Sequence, residues 1–96
     1  MRLEKEDIEI IKTTLLSKIS DAKIFLFGSR VNDKKRGGDI DIFVKTLHNI
    51  TLKDEISLLA QLELHGISRK IDLIIETPKK KREDFFNTIK KEAILL

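Results

Sequence analysis

Isoleucine and leucine return at helical spacing at the start of the chain. Ile8, Ile11, Leu15 and Ile19 form one stripe, and Ile10 and Leu16 widen it. This predicts a helix over residues 4–19, with acids in its first turn, where the helix dipole favours them. Ser20 and Asp21 interrupt the period. Residues 23–27, Lys-Ile-Phe-Leu-Phe, are a nearly continuous apolar run, the pattern of a strand covered on both faces. Gly28-Ser29-Arg30 ends that run and opens a turn, and the polar stretch 32–38, closed by two glycines, reads as a loop. A second strand spans 39–45, where Asp39 and Asp41 alternate with Ile40, Ile42 and Val44. Thr51 is the expected N-cap of a helix reaching about Leu64, and Asp54 gives an Asp variant of the capping box. Leu52, Ile56, Leu59 and Glu63 fall on one line of that helix, with Leu58 and Leu62 beside it, and His65-Gly66 stops it. A third strand, 70–75, places Asp72 between Ile71 and Leu73. Pro78 and the basic run Lys79 to Arg82 turn the chain. Residues 83–95 then resume a helical pattern with Phe85, Phe86, Ile89 and Ala93.

The predicted order is helix, strand, strand, helix, strand, helix. It describes an α/β fold, a small mixed β-sheet packed with helices in two or three layers. The link between the second and third strands contains a crossover helix, so those two run parallel. The first and second are joined by a tighter return. Ninety-six residues make a single domain, 1–96. Such a chain buries about 65% of its unfolded surface, so its core is adequate but thin.

Composition narrows the setting. Apolar residues make up 41% and charged residues 36%, which is not a disordered composition. There is no cysteine, so disulfides and thiolate metal sites are excluded. The N-terminus has no apolar signal core, and no run approaches the ~20 apolar residues of a membrane span. The expectation is a cytoplasmic protein without a membrane partner. A net charge of +3 is a weak hint of anionic ligands and does not establish nucleic-acid binding.

The carboxylates carry the chemistry. Residues two apart on a strand share a face, so Asp39 and Asp41 point one way and Ile40, Ile42 and Val44 the other. A neighbouring strand at ~4.8 Å brings Asp72 to the same place. Three like charges aimed at one point call for a cation between them. A hard divalent ion such as Mg²⁺ suits oxygen donors and takes substrate phosphates as further ligands. Two such ions ~3.5–4 Å apart serve in-line phosphoryl or nucleotidyl displacement. Asp-x-Asp alone is a common solvated pair, and it is the third strand-borne Asp that changes the reading. Upstream, Gly28 lets the backbone turn sharply and approach a ligand closely. Ser29 adds a hydroxyl donor and Arg30 a charge, and a helix start after them would offer N–H groups to phosphate oxygens. By itself such a turn could equally be a plain strand ending.

Taken together, these residues resemble the minimal nucleotidyltransferase family of the polymerase-β-like superfamily. The shared pattern is Gly-Ser, a loop, Asp-x-Asp on the next strand and a third Asp on a later strand. Here Gly28-Ser29 is followed by nine residues and then Asp39-Ile40-Asp41, and Ile71-Asp72-Leu73-Ile74 matches the third-Asp strand. The resemblance spans nearly the whole chain. It implies a polymerase-β-like nucleotidyltransferase core in which Gly28, Ser29 and Arg30 hold the triphosphate of ATP. Asp39 and Asp41 would bind two Mg²⁺ ions. Asp72 would bind the catalytic ion and accept the proton of the attacking hydroxyl. Small members of this family often act as antitoxins beside a helical HEPN-type ribonuclease toxin, transferring AMP from ATP to a toxin tyrosine. The resemblance therefore implies a protein adenylyltransferase with a HEPN-type partner. Two alternatives stay open: an antitoxin that masks its partner by contact alone, and a nucleotidyltransferase acting on an RNA end.

Other polar features read as weaker signals. The loop Lys34-Lys35-Arg36 could touch a triphosphate or an acceptor but is more simply a solvated loop. The same holds for Lys79 to Arg82. His48 and His65 lack partners at metal-ligand spacing and receive no role. Phe85 and Phe86 read as core. Arg69 and Lys70 either balance the Asp72 charge or are ordinary surface. Ala93 to Leu96 is either part of a partner surface or packs on the sheet.

Overall fold

The computed structural model describes residues 3–28 and 39–96. Along the chain run α1 (Lys5–Lys18), β1 (Lys23–Phe27), β2 (Ile40–Lys45), α2 (Leu52–Leu64), β3 (Ile71–Glu76), α3 (Glu83–Ile89) and β4 (Ile94–Leu95). They form a four-stranded sheet in the order β3-β2-β1-β4. β1 runs antiparallel to β2, and β2 parallel to β3, as the two kinds of link require. The fold is the expected small mixed α/β sheet.

The two faces of the sheet differ in chemistry. Ile24 and Leu26 of β1, Ile40, Ile42 and Val44 of β2, and Ile75 of β3 are buried on one face. They pack in one cluster with Ile11, Leu15 and Ile19 from α1 and Leu58 and Leu62 from α2. On the opposite face the register sets three cross-strand rows: Phe27–Asp41–Asp72, Phe25–Phe43–Ile74 and Lys23–Lys45–Glu76. The middle row lies under α3. Phe43 is fully buried. Its ring centroid lies 5.8 Å from that of Phe85 and 5.4 Å from that of Phe86. Phe86 also meets Phe25 edge-on at 5.1 Å, a geometry that adds about 0.5–1.5 kcal/mol beyond area burial. The expected packing role of Phe85 and Phe86 holds.

One expectation is corrected. The last helix does not continue to residue 95. It stops at Ile89, and Ile94–Leu95 form a short edge strand paired with β1. The Leu96 N–H donates to the carbonyl of Ile24 at 2.8 Å. Pairing with an open strand edge satisfies backbone groups that a fraying helix end would leave to water. Of the two apolar lines of α2, the structure buries the second. Leu52 and Ile56 stand 67% and 60% exposed, and Leu58 and Leu62 face the core. That helix carries apolar residues on more than one line, and the sheet and α1 select which line packs. Its start is as expected, with a reciprocal capping box between Thr51 and Asp54. Gly66, at φ +112°, follows its end.

Candidate functional site

The Phe27–Asp41–Asp72 row lies where β1 ends and where β2 and β3 begin. Asp41 and Asp72 are direct partners across parallel strands, so their backbones are about 4.8 Å apart. Asp39 stands two residues earlier on the chain, immediately before β2. The strand fixes these positions for a simple reason. Ile40 and Ile42 are fully buried on the helix-covered face, so the alternating aspartates must face the other way. All three aspartates are only partly buried.

Gly28 adds the close contact that gives the site its form. Its φ is +70°, a left-handed conformation that costs other L-residues about 1–2 kcal/mol. A Cβ placed there would collide with Oδ2 of Asp41 and would lie 3.1 Å from Cγ of the same side chain. The Asp41 carboxylate therefore rests directly on the Gly28 backbone. The turn and the Asp-x-Asp strand, distant in sequence, form one surface. Ser29 and Arg30, and the basic loop 34–36, lie outside the described residues.

Asp72 sits at the rim. Lys70 Nζ is 3.9 Å from its Oδ1, with the two side chains 73% and 45% exposed. An ion pair this open to water contributes little and is readily exchanged for another cation. Lys70 thus takes the charge-balancing role that was one of its two sequence readings.

The donor set fits a hard divalent ion. It is made of carboxylate oxygens alone, on adjacent strand positions, beside a backbone stripped of side chain. Among the described residues no three acidic or imidazole groups form a cage that could hold a metal ion. Mg²⁺ does not require one, because it keeps waters and takes one or two carboxylates together with substrate phosphates.

The histidines have structural surroundings. His65 Nδ1 lies 3.2 Å from the hydroxyl of the buried Thr14. His48 Nε2 is 3.7 Å from Asp21. Asp21 itself holds the loop after β2. The Thr46 hydroxyl and the Leu47 N–H both donate to it, and these bonds hold its carboxyl below the ordinary range. Neither Thr14 nor Asp21 was singled out in the sequence, because single polar residues near helix ends carry no distinguishing local signal.

A cavity with apolar walls lies elsewhere, at the opposite end of the strands. No helix of the described residues is long and apolar enough to cross a membrane.

Comparison with known proteins places this arrangement. Among curated proteins none matches the chain. A solved structure described as a "putative nucleotidyltransferase" from Sulfolobus solfataricus is 17% identical, with a TM-score of 0.47 over 99% of this chain and 89% of that one. That likeness is too distant to bear on the chemistry. The family model described as "Polymerase beta, Nucleotidyltransferase" matches residues 9–96. With the Gly28 turn, Asp39, Asp41 and Asp72 all inside the matched span, the chain belongs to the polymerase beta nucleotidyltransferase family.

Proposed function

We propose that this domain transfers AMP from ATP to a tyrosine hydroxyl of a partner protein, a HEPN-type toxin for which it acts as antitoxin. The observation that carries the nucleotidyl-transfer chemistry is the packing of the Asp41 carboxylate on the Gly28 backbone, in register with Asp72. The choice of a tyrosine on a HEPN-type partner follows from the family resemblance of the motif.

Each residue has a distinct task. Gly28 leaves its backbone bare, so a phosphate chain can approach without meeting a Cβ. Ser29 and Arg30 follow in sequence and would supply a hydroxyl donor and a positive charge to the triphosphate. Asp39, Asp41 and Asp72 would hold Mg²⁺, which when bound neutralises phosphate charge and acidifies a hydroxyl. Asp72, nearly half exposed, can exchange Lys70 for the incoming acceptor. In the reaction the tyrosine oxygen bonds to the α-phosphorus and the bond to pyrophosphate breaks. Pyrophosphate leaves with the electron pair, and the hydroxyl proton passes to the Asp72 carboxylate.

The test is incubation of the co-purified partner with ATP and Mg²⁺, read by intact mass and pyrophosphate release. The expected result is a mass gain of one adenylyl group on the partner, lost in Asp41→Asn and strongly slowed in Asp72→Asn. Neutralisation of the partner with no added mass, equally by wild type and by Asp72→Asn, would replace this reading with a masking antitoxin.

A further inference from the structure

β3 is an edge strand of the sheet. Its ladder with β2 shows which of its backbone groups are free. The Ile40 N–H donates to the carbonyl of Lys70, and the Thr46 N–H to that of Glu76. Backbone direction alternates along a strand, so Lys70, Asp72, Ile74 and Glu76 turn their N–H and C=O to β2. Those of Ile71, Leu73 and Ile75 point away from the sheet. Among the described residues nothing bonds the outward groups of Ile71 and Leu73. The Ile75 carbonyl accepts Arg82 Nε at 3.3 Å and keeps a second lone pair. An edge left open in this way is a template for another strand.

An apolar line of α2 stands over the same edge. Leu52, Ile56, Leu59 and Glu63 recur at helical neighbour spacing. Two contacts fix where that line faces. On the other flank of the helix, Asp54 meets Lys18 of α1. Leu59 and Glu63 line a groove together with Ile67, Lys70 and Ile71, at the start of β3. Leu52 is 67% and Ile56 60% exposed. Unpaired backbone and exposed apolar side chains thus lie side by side, the two components of an interface made by strand addition.

This edge is complementary to itself. A second copy placed by a two-fold axis perpendicular to the sheet runs antiparallel to the first, and opposite residues then point to the same face. The axis must therefore pass through a residue of β3. An axis at Asp72 sets two Asp72 carboxylates opposite each other, and an axis at Ile74 sets Asp72 opposite Glu76. Like charges in such positions destabilise the pair. The Ile74 axis also assigns Ile71 to Thr77, whose N–H and C=O are both already bonded to Lys80. Axes at Ile71 or Ile75 lie at or near a strand end and leave little overlap. An axis at Leu73 opposes no like charges. Leu73 meets its own counterpart, Ile71 meets Ile75, and Lys70 falls opposite Glu76. Arg82, whose guanidinium meets no carboxylate among the described residues, stands at the Ile75 carbonyl, next to the position that faces Asp72 of the second copy. Ile56 and Leu59, near the middle of α2, face their counterparts across the axis.

We propose that a second copy of this chain docks on the free edge of β3 about a two-fold axis through Leu73. The two sheets join into one, and the Leu52–Ile56–Leu59 lines of the two α2 helices close on each other. This inference goes beyond the transfer reaction proposed above and does not depend on it.

The test follows the full chain, without metal or nucleotide, by sedimentation equilibrium and by melting at increasing protein concentration. Wild type should show twice the mass of the chain and a Tm that rises with concentration. Ile56→Lys, at an exposed position, sets two ammonium groups against each other across the axis. It should keep a folded circular dichroism spectrum, sediment as a monomer and lose the concentration dependence. The chain has no cysteine, so single cysteines report the register. Leu73→Cys should form a disulfide-linked dimer under mild oxidation, because directly opposed Cα atoms lie about 5.5 Å apart. Ile71→Cys should not, because it lies about 13 Å along the strand from its own counterpart. A wild type that is monomeric at every concentration, an Ile56→Lys dimer as tight as wild type, or equal crosslinking of the two cysteine variants would overturn the proposal. So would a monomeric wild type whose β3 amides are protected from exchange by a different co-purified protein, because the edge would then belong to that chain.

Discussion

Replacing Gly28 by alanine probes the junction on which the candidate site depends. Two separate penalties are expected. Alanine at φ +70° costs about 1–2 kcal/mol from backbone strain alone. Its Cβ also collides with Oδ2 of Asp41, and turning that carboxylate away from its rotamer costs about 0.5–1.5 kcal/mol more. The sum, about 2–3 kcal/mol, corresponds to a fall of roughly 10–20 °C in Tm for a domain of this size. A double-mutant cycle with Asp41→Ala separates the two parts. Without the carboxylate, alanine at 28 keeps the backbone penalty but loses the collision, so its cost should drop by about 1 kcal/mol. The assay is urea denaturation of the four proteins in EDTA, followed by a repeat with Mg²⁺ and ATP. In the second condition wild type should gain stability by mass action, and Gly28→Ala should gain little. Equal costs for Gly28→Ala with and without the Asp41 carboxylate would refute the reasoning, since the turn and the aspartate would then be energetically independent.

Three further outcomes are expected. Phe86→Ala removes the half-buried ring that meets Phe25, Phe43 and the Lys45 ammonium; thermal melts should show a loss of about 2 kcal/mol, below the cost for a fully buried ring. Thr51→Ala deletes one half of the α2 capping box and should cost about 1 kcal/mol by denaturant titration. Asp21→Ala should destabilise the protein at neutral pH, because the folded carboxyl lies below its ordinary value of 3.8 through its bonds to Thr46 and Leu47. A depressed folded pKa gives stability that is present above the unfolded value and lost as pH falls through the folded one. The melting difference between wild type and Asp21→Ala should therefore be constant above about pH 5 and shrink in more acidic solution. A gap that widened on acidification would contradict the hydrogen-bonded carboxylate.

Periodicity along the chain determined much of this protein. Strand spacing alone put Asp39 and Asp41 on the face opposite Ile40 and Ile42, since burying the isoleucines leaves the aspartates no other direction. Thr51 and Asp54 announced the start of α2 because a capping box is a local interaction between residues three apart. The 23–27 strand was legible from its unbroken apolar run, which only a two-sided cover accommodates. Tertiary structure decided what depends on partners remote in sequence. Whether Leu52 and Ile56 or Leu58 and Leu62 face the core was set by how α1 and the sheet meet α2, because either line could have packed. Residues 94–95 left the helical pattern because the open edge of β1 offers hydrogen bonds that no local signal encodes. The contact of Gly28 with Asp41 and the opposition of Lys23 and Lys45 are likewise products of register. A strand's own sequence says which residues share its face, but only pairing with its neighbour brings two carboxylates, or two ammonium groups, side by side.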